Sequence, residues 1–257
     1  MNRLERLFKD KPEGLLSVYY TAGYPAADDT VTVLRELQAA GVDSVEIGIP
    51  FSDPMADGPV IQQSGTQALN NGMTLAKLFE QLKDVRPQIT MPLIMMGYLN
   101  PIMQYGVEKF CSDMKDIGLD GIIIPDLPYE DYITKYKPIG DKYGVKFIML
   151  ITPETSDERI RLIDRNTSGF IYMVSTAATT GARDSFSPET LDYFTRINGM
   201  GLRNPRLIGF GISNAATYRS AQQNANGAIV GSSFVKLLGS SPSVKEAVAA
   251  LIKQLGE

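Results

Sequence analysis

The feature that most constrains this chain is a rhythm: eight short apolar runs, each followed by a segment with helical spacing. The runs fall at residues 15–22 (LLSVYYTA), the first half of 42–59, 92–100, 119–126, 146–152, 169–176, 206–212 and 227–232. Helical patterns follow at 30–40, 59–69 with 74–85, 107–117, 129–143, 156–167, 188–197, from an N-cap at Ser213 through 221, and at 244–255. Strands separated by helices pair in parallel, because each crossover returns the chain to the same edge of the sheet. Eight such units in 257 residues, with no linker or low-complexity stretch between them, predict an α/β fold. The expected architecture is a (β/α)8 barrel of the TIM type, closed and formed as one domain over residues 1–257. An open doubly wound sheet calls for a glycine-rich G-x-G-x-x-G turn after the first strand, and GYPAADD is not that turn.

The barrel changes the meaning of one acid. In VDSVEIGIPFSDPMADGP, Val45, Ile47 and Ile49 alternate with Ser44, Glu46 and Gly48, so the two sets face opposite ways. In a half-exposed strand Glu46 would simply face solvent. In a closed barrel the apolar set lies beneath the helices and Glu46 points inward with its small neighbours. An ionised, unpartnered carboxylate there costs several kcal/mol, so its presence calls for a partner or a task. Asp57, on the loop that follows, sits at the C-terminal ends of the strands, where barrels place their active sites. Alone it would read as a turn residue.

Composition narrows the chemistry. The chain has no histidine, which removes His-rich zinc sites, Ser-His-Asp and Cys-His pairs and histidine acid–base catalysis. Proton transfer then falls to Asp, Glu, Lys or Tyr. The single cysteine, Cys111, lies in a helical pattern, forms no internal disulfide and reads as core. With 25 Lys+Arg against 29 Asp+Glu there is no basic excess of the kind that nucleic acid or an anionic membrane selects. No run reaches the ~20 apolar residues of a membrane span, and the N-terminal stretch lacks an apolar signal core, so a cytoplasmic protein is expected.

Other strand ends contribute to the mouth. Asp126 closes the fourth run in PDLP, where capping a helix or fixing a loop is as reasonable as catalysis. Tyr172 shares a strand face with Phe170 and Val174 and reads either as core or as a pocket residue whose hydroxyl needs a polar partner. Late in the chain, ATTGAR, GFGIS and GSS place glycine and serine at three successive strand ends. Backbone N–H groups exposed there, at the starts of helices, suit a phosphate. No predicted strand carries a lysine at its C-terminal end, which disfavours Schiff-base chemistry. Cofactor-free acid–base chemistry on a phosphorylated small molecule is what remains.

The run E-x-G-x-P-F-S-D-P-x-A-D-G-P from Glu46, then PDLP, Thr180-Gly181, GFGIS and IVGSS, in this order over nearly the whole chain, resembles the tryptophan synthase alpha subunit. The resemblance implies retro-aldol cleavage of indole-3-glycerol phosphate to indole and glyceraldehyde 3-phosphate. It also implies a beta-subunit partner in an alpha2beta2 heterotetramer that holds pyridoxal phosphate and receives the indole, with no cofactor in this chain. Matched position by position, it makes Glu46 the general acid/base and Asp57 the carboxylate that stabilises charge at the indole N–H. Tyr172 matches the tyrosine beside the glutamate, and Tyr19 and Tyr98 match aromatic positions of the substrate pocket. Gly181, Phe210, Gly211, Gly231 and Ser232 match the phosphate site. Thr180 matches the loop threonine that meets the catalytic aspartate, and Asp53 falls in the partner-facing loop.

This chain departs from the family pattern at Ala178-Thr179-Thr180-Gly181, where many members have Gly-Val-Thr-Gly. Alanine and a β-branched threonine restrict the backbone more than glycine does, which bears on loop closure and not on the reaction class. Two other functions stay open on sequence: a self-sufficient lyase that releases free indole, and a silent phosphosugar-binding barrel that regulates a partner. The intact carboxylate pair disfavours the second.

Overall fold

The computed structural model describes residues 1–175 and 185–256. Its centre is a closed barrel of eight parallel strands in sequence order: β1 (Leu15–Thr21), β2 (Ser44–Gly48), β3 (Leu93–Met96), β4 (Gly121–Ile123), β5 (Lys146–Ile151), β6 (Ile171–Val174), β7 (Arg206–Gly209) and β8 (Gly227–Val230). Ser17 pairs with Ser44 and Tyr19 with Glu46, while Leu15 pairs with Gly227 and so closes the ring.

Strand parity separates two cores. The outward residues Val18, Tyr20, Val45, Ile47, Met95, Ile122, Met173 and Ile208 pack under the helices in one large apolar layer. The inward residues Leu15, Ile94, Ile123, Ile148, Tyr172, Val174, Leu207 and Ile229 make a smaller cluster inside the barrel. The N-terminal helix Arg3–Asp10 starts with a capping box between Asn2 and Glu5, which satisfies two of its free donors. It sets Leu4 against the interior cluster, with Leu7 and Phe8 packed on it, and the Phe8 and Phe170 rings lie 5.9 Å apart. The N-terminal end of the barrel is therefore plugged by side chains.

Elements are shorter than the apolar runs expect, because in a barrel the strand ends once the chain must turn into the mouth. Residues 97–100 leave the strand and a helix, Leu99–Tyr105, begins there with Pro101 in its first turn, where the missing N–H costs nothing. Asp126 accepts from the Leu99 backbone N–H at 2.9 Å, so it fixes this helix start. The helix read at 129–143 is continuous in space but carries a π stretch at Tyr132–Tyr136. Pro138 explains it: the residue has no N–H to donate and its ring crowds the carbonyl four positions back, so the turn before it widens. The N-cap expected at Ser213 is instead Asn214, which accepts from the Thr217 N–H at 2.9 Å in front of the helix Ala215–Asn224. The last run stops at Val230, not at Ser232, and Ser232 opens a helix, Ser232–Ser240, that the sequence reading does not include. Among the described residues no helix is long and apolar enough to cross a membrane.

Candidate active site

Glu46 sits in the middle of β2, fully buried, with its carboxylate inside the barrel. Its Oε1 accepts from the Ser17 hydroxyl at 3.4 Å, a long contact, and its Oε2 has no partner among the described residues. Burial without compensation pushes its pKa up from the ordinary 4.5 to about 8, and the Ser17 hydrogen bond offsets only part of this. A carboxyl group tuned there is near the optimum for moving protons both ways at neutral pH. The sequence argument from strand parity thus places Glu46 on the correct face, with Val45 and Ile47 on the other.

Asp57 reaches the same cavity from the loop between β2 and the helix Pro59–Asn70. Two hydrogen bonds through Tyr98 hold that loop: its hydroxyl donates to Asp57 Oδ2 at 2.9 Å and accepts from the Ala56 N–H at 2.8 Å. Partial burial raises the Asp57 pKa, and the Tyr98 hydroxyl opposes the rise. Tyr98 itself lies behind Asp57, in a small side crevice and not on the wall of the main cleft. Its aromatic contact is Phe51, 5.5 Å between ring centroids. Asp53 is at the exposed tip of the loop, bonded to the Ser52 hydroxyl at 2.5 Å, and the neighbouring Met55 is 82% exposed.

The cleft has a volume of about 540 Å³, the scale of a small-molecule site. Tyr19, Glu46, Asp57, Tyr172, Phe210, Gly211, Gly231 and Ser232 all line it, so eight of the sequence-selected residues converge on one space. Two glycines make room for the tyrosines. A Cβ on Gly48 would come within 2.2 Å of the Tyr19 hydroxyl, and one on Gly209 within 2.2 Å of the Tyr172 hydroxyl. Burial drives both phenols upward in pKa, so they stay neutral and serve as walls and donors.

The far end of the cleft is built from backbone. After β7, Phe210 (φ 69) and Gly211 (φ 73) both take the left-handed conformation, and the Ser175 hydroxyl pins the Phe210 carbonyl at 2.7 Å. A non-glycine residue there stores strain of the order of 1 kcal/mol, which a glycine pattern cannot reveal. After β8, Gly231 leads into the helix Ser232–Ser240, whose first N–H groups have no carbonyl partners of their own. Anions are stabilised at such helix starts. Lys236, one turn along that helix, is the only cationic side chain on the cleft wall among the described residues. Sequence reasoning missed it, together with Ser233 and Gln254; a helix beginning at Ser232, rather than a strand ending there, would have exposed the i, i+4 relation. Thr180 and Gly181 lie outside the described residues. Cys111 is buried within the helix Val107–Ile117, and burial pushes its thiol up to about 12, which suits packing and not nucleophilic work.

The geometry has known counterparts. Residues 6–256 match the family model described as tryptophan synthase alpha chain. A tryptophan synthase alpha chain from Parabacteroides distasonis is 60% identical over 99% of both chains. Among solved structures, tryptophan synthase subunit alpha from Legionella pneumophila superposes with a TM-score of 0.87 at 33% identity, covering 99% of this chain and 97% of that one. A chain of the tryptophan synthase complex from Pyrococcus furiosus gives a TM-score of 0.84 at 35% identity, covering 95% of this chain and 98% of that one. A full-length family match, high identity to a curated relative and a shared barrel agree: the chain belongs to the tryptophan synthase alpha chain family.

Proposed function

We propose that Glu46 and Asp57 carry, in this chain, the carbon–carbon lyase reaction of its family, the cleavage of indole-3-glycerol phosphate to indole and glyceraldehyde 3-phosphate. The observation that carries the assignment is the pair of carboxyl groups in one cleft, one fully buried on rigid strand and one on a loop braced by Tyr98. The reaction needs a proton at indole C3 and the loss of a proton from the adjacent side-chain hydroxyl. As the C–C bond breaks, its electron pair returns to the ring and the hydroxyl oxygen becomes the aldehyde oxygen. One group can do both transfers. Glu46, with a pKa near 8, is mostly protonated at neutral pH and gives its proton to C3; the resulting carboxylate takes the hydroxyl proton. Protonation at C3 leaves positive charge at the indole nitrogen, and the Asp57 carboxylate accepts a hydrogen bond from that N–H and stabilises it.

The phosphate occupies the end of the cleft at Phe210, Gly211, Gly231 and Ser232; the assignment of Thr180 and Gly181 to the same site rests on the family pattern alone. Lys236 adds the positive charge that a dianion favours and that the two carboxyl groups do not supply. Tyr19 and Tyr172 flank the ring, and Tyr98 acts on substrate through Asp57. The chain needs no cofactor for these steps. A beta subunit carrying pyridoxal phosphate receives the indole in an alpha2beta2 assembly, docked over the exposed loop with Asp53 and Met55, and the protein works in the cytoplasm as one domain. The test is indole release from indole-3-glycerol phosphate, measured with and without a beta subunit. Slow release alone, rising on addition of the partner, is expected. No release in either case removes the lyase assignment, and full activity alone removes the dependence on a partner.

A further inference from the structure

Among the described residues Glu46 has one hydrogen-bond partner, and it is a serine placed where the barrel wants a hydrophobic side chain. Ser17 is fully buried on β1, two residues before Tyr19, and parity directs it inward between Leu15 below and Tyr19 above. Its pairing partner in the ladder is Ser44, two residues before Glu46 on β2, so the Ser17 side chain lies diagonally below the carboxyl group on the interior face. From there its hydroxyl donates upward to Oε1 at 3.4 Å, while Oε2 has no partner among the described residues. A buried hydroxyl costs free energy unless it is bonded, and the carboxyl oxygen is the acceptor that the structure gives it.

Building on the assignment of Glu46 as the proton carrier, we propose that Ser17 is its positioning residue: the hydroxyl holds the Oε1 edge of the carboxyl group and so presents Oε2 to the substrate. The Glu46 side chain carries its carboxyl group on three rotatable bonds, and the Ser17 hydroxyl is the hydrogen-bond partner that fixes it among the described residues. The long contact fits a site awaiting substrate, since catalytic hydrogen bonds commonly tighten only in the complex. The other titratable groups facing Glu46 come from different elements: Tyr19 on β1, Tyr172 on β6, Asp57 on the loop after β2, and Lys236 across the cleft. From β3 the paired residue is Ile94, which carries no charge. Ser17 is distinguished from all of these by donating directly to the carboxylate, and a donor favours its ionised form.

The test is the pH profile of kcat/KM for Ser17→Ala and Ser17→Thr, assayed as full chains with a beta subunit present. Loss of the donor moves the limb near pH 8 upward by about half a unit or more and lowers kcat about tenfold, with KM within about twofold. Threonine, which keeps the hydroxyl, restores the limb. The limb set by the substrate phosphate stays in place in every variant and serves as the internal reference. Should the alanine variant not fold, Ser17→Cys, a weaker donor of similar shape, is read in the same way. An unshifted limb, whatever happens to the melting temperature, makes Ser17 a packing residue and overturns the proposal. Glu46→Gln in the same assay separates the two levels: if it is inactive, the role of Glu46 stands however Ser17 behaves, and if it is active both fall.

Discussion

Two carboxyl groups in this barrel are almost equally buried, and everything else about them differs. Asp120, 2% exposed just before β4, sits at the plugged end. Its Oδ2 meets the Arg86 guanidinium at 2.7 Å and the Leu93 N–H at 3.0 Å, and Arg3 lies 3.5 Å from Oδ1. Glu46, 0% exposed at the open end, has among the described residues one long hydrogen bond and an unpartnered oxygen. The same chain that surrounds one buried acid with two cations and a backbone donor leaves the other almost bare. The difference separates the two ends: the acid at the N-terminal face is ionised and compensated, and the acid at the C-terminal face is left uncompensated and so held protonated to about pH 8, as the proposed proton transfer requires.

The comparison can be broken from either side. The largest effect belongs to Glu46→Gln, nearly isosteric and unable to transfer a proton: kcat falls by about 10³–10⁴, equivalent to roughly 4–5.5 kcal/mol on the barrier, with substrate affinity kept. Steady-state kinetics and a binding isotherm measure both, and retained turnover would remove Glu46 from the mechanism. Asp120→Ala does the reverse. It leaves the half-buried Arg86 without its carboxylate and destabilises the fold by about 3–5 kcal/mol in denaturant unfolding, while kcat per folded molecule is unchanged. Equal loss of activity and stability in that variant would erase the division between the two ends.

Much of this was legible in the residues. Alternation in VEIGI, together with eight repeats, was enough to turn Glu46 inward, and the absence of histidine made it the leading proton carrier. Glycine at the ends of β7 and β8 marked the backbone cradle. What the sequence did not disclose depends on three-dimensional neighbours. Tyr98 looks like a wall residue until the fold shows its hydroxyl bridging Asp57 and Ala56. The left-handed turn at Phe210 is held by Ser175, which is 35 residues away in sequence. Lys236 joins the cleft only once Ser232 starts a helix, and the plug made by Leu4 and Phe8 belongs to a segment whose sequence shows only an amphipathic pattern. All but Lys236, which a helix start read at Ser232 would have exposed, depend on long-range contacts that local patterning does not encode.

The bare carboxylate also makes a thermodynamic claim. The folded-state pKa of Glu46 lies near 8, above its ordinary 4.5, so between these values the native state binds a proton that the unfolded chain releases. Stability contributed by this group therefore falls as pH rises from about 4.5 to about 8 and is constant beyond. Asp57 is shifted in the same direction, but it is common to both chains and cancels in a difference. The most direct measurement is the unfolding free energy of the parent and of Glu46→Gln across pH 4–9. The account predicts that the two nearly coincide in acid and that the glutamine variant becomes the more stable, by a few kcal/mol in order of magnitude, above about pH 8. A difference that stays flat with pH would mean that Glu46 is solvated or paired in solution, and would contradict the claim that it is held uncompensated for proton transfer.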